Sequence, residues 1–271
     1  MTSRLDTAFT GSVAQFYERY MVPLIFEPYA VDLAARVARS SPARVLELAA
    51  GTGVVTRQLA VTLDAASEIV ATDLNPAMIE EAARIGTRRP VRWHIADAMQ
   101  LPFETASFDA VACQFGVMFF PDKPRAFAEA RRMLRTGGLF AFNTWGPLSV
   151  NEFADAVTHA LAAVFPDDPP RFLARTPHGY HDASVMAQHL AAAGFRAGPG
   201  IDTVAFTSRA VSPRVAALAY CEGTPLRGEI EARDPHGLER ATRAAEAELA
   251  RRFGNGAIEG RIEALVVTVA A

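Results

Sequence analysis

Cysteine is almost missing from this chain: Cys113 and Cys221 are the only two in 271 residues. Two thiols cannot build a disulfide framework, and neither has the CxxC partner that would begin a zinc site, so no metal is expected. Such sparse cysteine suits a reducing compartment, and a cytoplasmic protein is expected. No run of 18 apolar residues occurs, which argues against stable membrane insertion. The opening residues MTSRLDTAF lack the apolar stretch of a secretory leader. An excess of positive charge is missing as well. Lys and Arg number 27 against 30 Asp and Glu, a net charge of −3, so no basic field exists to hold a nucleic-acid backbone. Arg131, Arg132 and Arg135 read as the solvated face of a helix. A small-molecule partner is expected, with the protein a monomer or homodimer.

Half of the residues are hydrophobic, enough for one large core domain carrying insertions. From Ala43 to Trp145 strand-like and helix-like stretches alternate, the pattern of a parallel sheet wrapped by helices. The expected strands are Arg44–Ala49, Glu68–Thr72, Val91–Ile95, Phe108–Cys113 and Leu139–Trp145. Asn75-Pro76 has the form of an N-cap followed by a first-turn proline. Gly137-Gly138 reads as the C-cap of a helix over Pro124–Leu134. Ile201–Thr207 and Ile262–Ala270 supply a sixth and a seventh strand. The expected fold is therefore α/β: a Rossmann-like, seven-stranded, mostly parallel sheet with helices on both faces and helical lid insertions. Residues 1–40 form an N-terminal helical lid, helical over Thr10–Val37, and 41–146 the cofactor-binding core. Residues 147–183 are a helical insertion. Residues 184–271 complete the sheet around a second helical insertion at about 209–257.

In an open α/β sheet, ligands bind beyond the carboxyl ends of the strands, and the chemistry-bearing residues fall there. Glu47-Leu48-Ala49-Ala50-Gly51-Thr52-Gly53 runs from a first strand into a glycine turn that opens a helix. Glycine there permits positive φ and close backbone approach to a ligand. Asp73 ends the second strand, where a carboxylate accepts from both hydroxyls of a ribose, or else answers the dipole of the following helix. Asp97-Ala98 follows the third strand, placed to accept from an adenine amino group or to serve as a loop carboxylate. Gln114-Phe115 closes the fourth.

In this order VLELAAGTG, ATDLNPAMIEEA, IADAMQLPFETASFDAV and EARRMLRTGGLFAFNTW resemble the class I S-adenosylmethionine-dependent methyltransferases, and within them the ubiquinone/menaquinone-biosynthesis type of small-molecule methyltransferase. The resemblance covers about 100 residues of core and implies S-adenosyl-L-methionine as the cofactor. It implies that Glu47, Ala49, Gly51 and Gly53 line the methionine part and that Asp73 binds the ribose. By the same resemblance Leu74 and Met78 flank the adenine, Asp97 and Ala98 meet its amino edge, and Gln114 and Phe115 close the pocket beside the methyl. Ala49 stands where the family has its first glycine. A nicotinamide-dependent oxidoreductase uses a similar turn, but wants a small residue where Thr56 stands and has no role for Glu47. A protein that holds the cofactor without transferring its methyl is the other alternative.

A sulfonium methyl is already activated, so alignment in a dry pocket is the protein's main task. A neutral hydroxyl or amine acceptor also has a proton to lose, and histidine is the usual base near neutral pH. His178 and His181, in PHGYHD, are the catalytic candidates; the alternative for that segment is an ordinary helix start capped by Asp182. Aromatic residues Phe16, Tyr17, Tyr20, Phe26 and Tyr29, with Phe115, Met118, Phe119 and Phe120, favour a small apolar or aromatic acceptor.

Overall fold

The computed structural model describes residues 11–271; the first ten positions of the expected N-terminal lid, Thr10 included, lie outside the described residues. A helical run comes first: α1 (Gly11–Phe16), a π-helical stretch (Tyr17–Phe26) and α2 (Glu27–Ala38). Pro23 falls inside the π-helical stretch. Lacking an N–H, it cannot take part in the i→i−4 ladder that an α-helix requires. The core then alternates β1 (Arg44–Glu47), α3 (Val54–Thr62), β2 (Glu68–Asp73), α4 (Pro76–Ile85), β3 (Arg92–Ile95), β4 (Phe108–Gln114), α5 (Lys123–Met133) and β5 (Leu134–Trp145). After it come α6 (Glu152–Val164), α7 (Phe172–Arg175), α8 (Ala183–Ala192), β6 (Gly200–Ala210), α9 (Pro213–Glu222), α10 (Leu226–Arg233), α11 (Leu238–Phe253) and β7 (Ile258–Ala270).

Among the described residues one seven-stranded sheet forms, in the order β3-β2-β1-β4-β5-β7-β6. Strands β1 to β5 pair in parallel. β7 runs against β5, because Gly137 N–H donates to Ala271 while Gly146 N–H donates to Glu263, so one number rises as the other falls. The sheet is thus mixed and mostly parallel, as expected. Central strands of such a sheet are covered on both faces, and β1 and β4 are accordingly buried almost throughout. The edge strand β3 is largely exposed.

The chain divides into two compact units. One holds Glu27–Thr144, His181–Thr203 and Leu265–Ala271. Its core contains Leu33, Leu46, Leu59, Ile69 and the ring cluster Phe127, Phe140 and Phe142. Each such buried side chain contributes about 1.5–3 kcal/mol of transfer free energy. α2 packs with α3, and α5 with α8. The other unit holds the described residues up to Phe26, with Trp145–Tyr180 and Val204–Ala264. There α11 packs on α9 and α6, and α9 on the π-helical stretch. Glu229 ties α10 to the start of α7, accepting from the Arg171 and Phe172 N–H groups and from the Arg175 guanidinium.

One local expectation is corrected. Gly137 and Gly138 do not cap a helix: α5 ends at Met133, and both glycines lie inside β5. The β4–β5 register shifts between Phe108 and Ala110. At Gly138 a Cβ would stand 2.9 Å from the Asp109 carbonyl oxygen, and Gly137 takes φ +76°. The pair builds a bulge that only glycine fits.

Candidate cofactor site at the strand ends

The turn after β1 is built from left-handed backbone. Ala49, Gly51 and Gly53 have φ of 51°, 56° and 84°. Glycine takes that conformation freely, and Ala49 does so against a steric cost of about 1–2 kcal/mol. A Cβ on Gly53 would stand 3.0 Å from the Trp93 ring and 3.2 Å from Ala82, whereas Gly51 has open space at that position. Gly53 is the N-cap of α3 and offers no side-chain cap. The helix start is answered from below by Glu47, which accepts from the Thr56 hydroxyl at 2.6 Å. A carboxylate at a helix N-terminus is favoured by the dipole, yet Glu47 is buried and burial dominates. It pushes the carboxyl up to about 8; Thr56 and the Arg57 charge oppose the shift, and the charge of Asp73 adds to it.

Asp73 is half-buried at the end of β2. Its Oδ2 accepts from the Gly51 N–H and its Oδ1 from the Asn75 N–H, both at 2.8 Å. Burial raises its pKa against these N–H bonds. Asn75 caps α4 by accepting from the Ala77 N–H, with Pro76 in the first turn. At the end of β3 the Ala96 N–H donates to the Asp73 carbonyl. Asp97, half-exposed with Ala98, folds its Oδ1 back onto the Met99 N–H at 2.8 Å. Leu74 is exposed and Met78 buried.

At the end of β4, Gln114 is half-buried and Phe115 takes φ 49°. That left-handed, non-glycine backbone is secured by Asn143 Oδ1, which accepts the Phe115 N–H at 2.9 Å. The Phe115 ring meets Tyr29 edge-on, centroids 5.2 Å apart. A Cβ on Gly116 would stand 2.6 Å from the Ala49 Cβ and 2.7 Å from Cys113 Sγ, so glycine there lets β4 close on the turn. Cys113 is fully buried and burial raises its pKa, which makes it a packing residue and not a nucleophile.

Glu47, Ala49, Gly51, Gly53, Asp73, Gln114 and Phe115 therefore gather on the adjoining ends of β1, β2 and β4, with Asp97 and Ala98 following β3. Gly116 and Asn143 were missed, as were the contacts of Thr56 with Glu47 and of Tyr29 with Phe115. Of these only Gly116 carried a local signal, being a glycine at a strand end. The geometry fits a nucleoside: backbone N–H groups, Gly51 and Asn75 among them, hold the Asp73 carboxylate at the strand end, and Gly51 leaves room above the turn.

The two candidate histidines part company. His178 belongs to the helical unit, where it is buried and its Nδ1 donates to the Gly146 carbonyl at 2.9 Å. His181 is exposed beside Asp182, which caps α8 by accepting from Ser184 and Val185. Within the helical unit a row of rings runs Tyr17–Phe26–Trp145–His178, with successive centroids 5.1, 5.9 and 6.1 Å apart.

Residues 46–142 match a family described as a methyltransferase domain. The chain is 31% identical to a malonyl-[acyl-carrier protein] O-methyltransferase of Halorhodospira halophila over 233 residues, covering 83% of this chain and 72% of that one. It is 41% identical to a demethylmenaquinone methyltransferase of Thermus thermophilus over 111 residues, 40% of this chain and 49% of the relative. Among solved structures it is similar in fold to a Haemonchus contortus phosphoethanolamine N-methyltransferase 2 in complex with S-adenosyl-L-methionine. There the TM-score is 0.57 at 17% identity, over 98% of this chain and 59% of that one.

Proposed function

Because the chain belongs to the class I S-adenosylmethionine-dependent methyltransferases, we propose that it methylates a small apolar or aromatic acceptor and holds its cofactor on the strand-end turn. S-adenosylmethionine, when bound, supplies a methyl group already activated on a sulfonium. In this reading Asp73 binds the ribose, and Glu47, Ala49, Gly51 and Gly53 line the methionine portion. Leu74 and Met78 flank the adenine, Asp97 and Ala98 meet its amino edge, and Gln114 and Phe115 close the pocket beside the methyl. The exposed Leu74 side chain gains cover when an adenine lies against it. The nicotinamide alternative finds no support in these residues, since Thr56 is engaged with Glu47.

The observation that carries the acceptor class is the row of mutually tilted rings from Tyr17 to His178, an apolar cluster with a polar end. A second reading, an acyl group carried on a small protein, is favoured by the relative that matches 83% of this chain. The test is transfer of radiolabelled methyl to two sets of acceptors, small phenols and quinols against malonyl-acyl-carrier protein, with mass spectrometry of the product. Label on the small aromatics supports the first reading. Label confined to the carrier protein would replace it with the second.

A further inference from the structure

A buried N–H or O–H without an acceptor gives up its hydration and gains nothing in return. Among the described residues, Thr52 Oγ1, Asn143 Nδ2 and Thr144 Oγ1 are buried side-chain groups with no hydrogen-bond partner. All three stand in the turn after β1 or near the carboxyl end of β5, the edge at which open α/β sheets bind ligands. Thr52 belongs to the turn already described, which leaves the two on β5. Asn143 is fully buried, and the orientation of its amide is fixed. The Phe115 N–H donates to Oδ1 at 2.9 Å and to the Asn143 carbonyl at 3.3 Å. A backbone N–H only donates, so the amide oxygen faces Phe115 and Nδ2 is turned away from that N–H. The bond to Phe115 accounts for the oxygen of this amide and not for its nitrogen.

The sheet register places this amide relative to the cofactor residues. Glu47 pairs with Ala71 on β2 and with Ala112 on β4, and Gln114 pairs with Asn143. Side chains alternate along a strand, so Asp73, Glu47, Gln114 and Asn143 project from one face of the sheet, on neighbouring strands in the order β2, β1, β4, β5. All four belong to one compact unit. In the reading above, the ribose lies at Asp73, the methionine portion at Glu47, and the methyl beside Gln114 and Phe115. Asn143 stands one strand further on, about 4.7–4.9 Å past Gln114, on the acceptor side of the methyl. Thr144, next along β5, projects from the opposite face. We infer that the Asn143 amide is a binding group for the methyl acceptor, with Nδ2 donating a hydrogen bond to the acceptor oxygen. This rests on the methyl-transfer reading above, and the chemistry is the same for a phenolic hydroxyl and for a carboxylate carried on a small protein. Because Nδ2 is closed to solvent, side chains at the strand end shift as that oxygen enters.

Two measurements on the full chain test this. Side-chain amide NMR of nitrogen-15-labelled protein, in complex with S-adenosylhomocysteine, follows the Asn143 Nδ2 hydrogens directly. Adding whichever of 1-naphthol and malonyl-acyl-carrier protein the wild type methylates is expected to move one of them downfield, as a new hydrogen bond does. Asn143→Asp keeps an oxygen for Phe115 and replaces the donor with a second oxygen. With labelled S-adenosylmethionine, its kcat/KM for the same acceptor is expected to fall about 5–100-fold, the scale of one hydrogen bond. Its affinity for S-adenosylhomocysteine should stay within about twofold, and Thr144→Val, on the other face, should keep the native kcat/KM. A folded Asn143→Asp protein with native kcat/KM, an equal loss in Thr144→Val, or amide hydrogens unmoved by the acceptor overturns the proposal. If Asn143→Asp does not fold, the NMR result decides alone. In each of these cases the wild type still makes labelled product, so the methyl-transfer reading stands. No product from either acceptor, with S-adenosylhomocysteine still bound, overturns both.

Discussion

Replacing Glu47 with Gln removes a titration without removing a shape. The Thr56 hydroxyl still finds an oxygen acceptor, and the buried volume hardly changes. Glu47 goes from an ordinary 4.5 to about 8 on folding, chiefly through burial. Between those values the folded chain holds a proton that the unfolded chain has released. Stability from this group is therefore full below about pH 4.5 and drains as pH rises towards 8, at about 1.4 kcal/mol per pH unit. From pH 5 to pH 7.5 the loss amounts to about 3 kcal/mol. The Gln variant has no such slope. Guanidinium unfolding of both proteins at pH 5, 6, 7 and 8 should show curves that diverge by that amount, with wild type losing ground as pH rises. Parallel curves would refute the reasoning, because they would mean that Glu47 is already ionised in the folded protein.

The same proton should report on the cofactor. If the cationic amino group of S-adenosylmethionine approaches Glu47, binding near pH 7 should release up to about one proton, read by calorimetry in buffers of different ionisation enthalpy and absent in Glu47→Gln. Gly53→Ala should weaken both folding and cofactor binding, since its φ of 84° and the Trp93 ring at 3.0 Å leave no room for a methyl; denaturant midpoints and calorimetry check this. Gly138→Ala should lower stability by about 1–3 kcal/mol through the bulge in β5, measured by thermal unfolding. Cofactor affinity should hold there, because the bulge lies at the other end of the strand.

The legible part of this molecule was the part whose residue types are dictated by local backbone. Gly51 and Gly53 answer left-handed φ, Asp73 and Asn75 answer unpaired N–H groups, and the buried strands answer cover on both faces. Each demand is met within a few residues of where it arises. Asn143 and Tyr29 act on Phe115, distant in sequence, so their roles left no pattern along the chain, and Gly116 showed only as a glycine at a strand end. Gly137-Gly138 was misread for the same reason. A glycine pair after a helix has the look of a cap, and the carbonyl of Asp109 that demands it belongs to the neighbouring strand. His178 and His181 look equivalent in sequence, and only burial and the Gly146 carbonyl tell them apart.

The central claim, that the strand-end turn holds the cofactor through Asp73, is tested most directly by calorimetric titration of S-adenosylhomocysteine into wild type, Asp73→Ala and Asp73→Asn. Wild type should bind it and not NAD. Asp73→Ala should lose about 1.5–3 kcal/mol of binding, the scale of hydrogen bonds to a charged group, and Asp73→Asn should lose less because one acceptor oxygen remains. Unchanged affinity in a folded Asp73→Ala protein, or binding of NAD in place of S-adenosylhomocysteine, would contradict the claim.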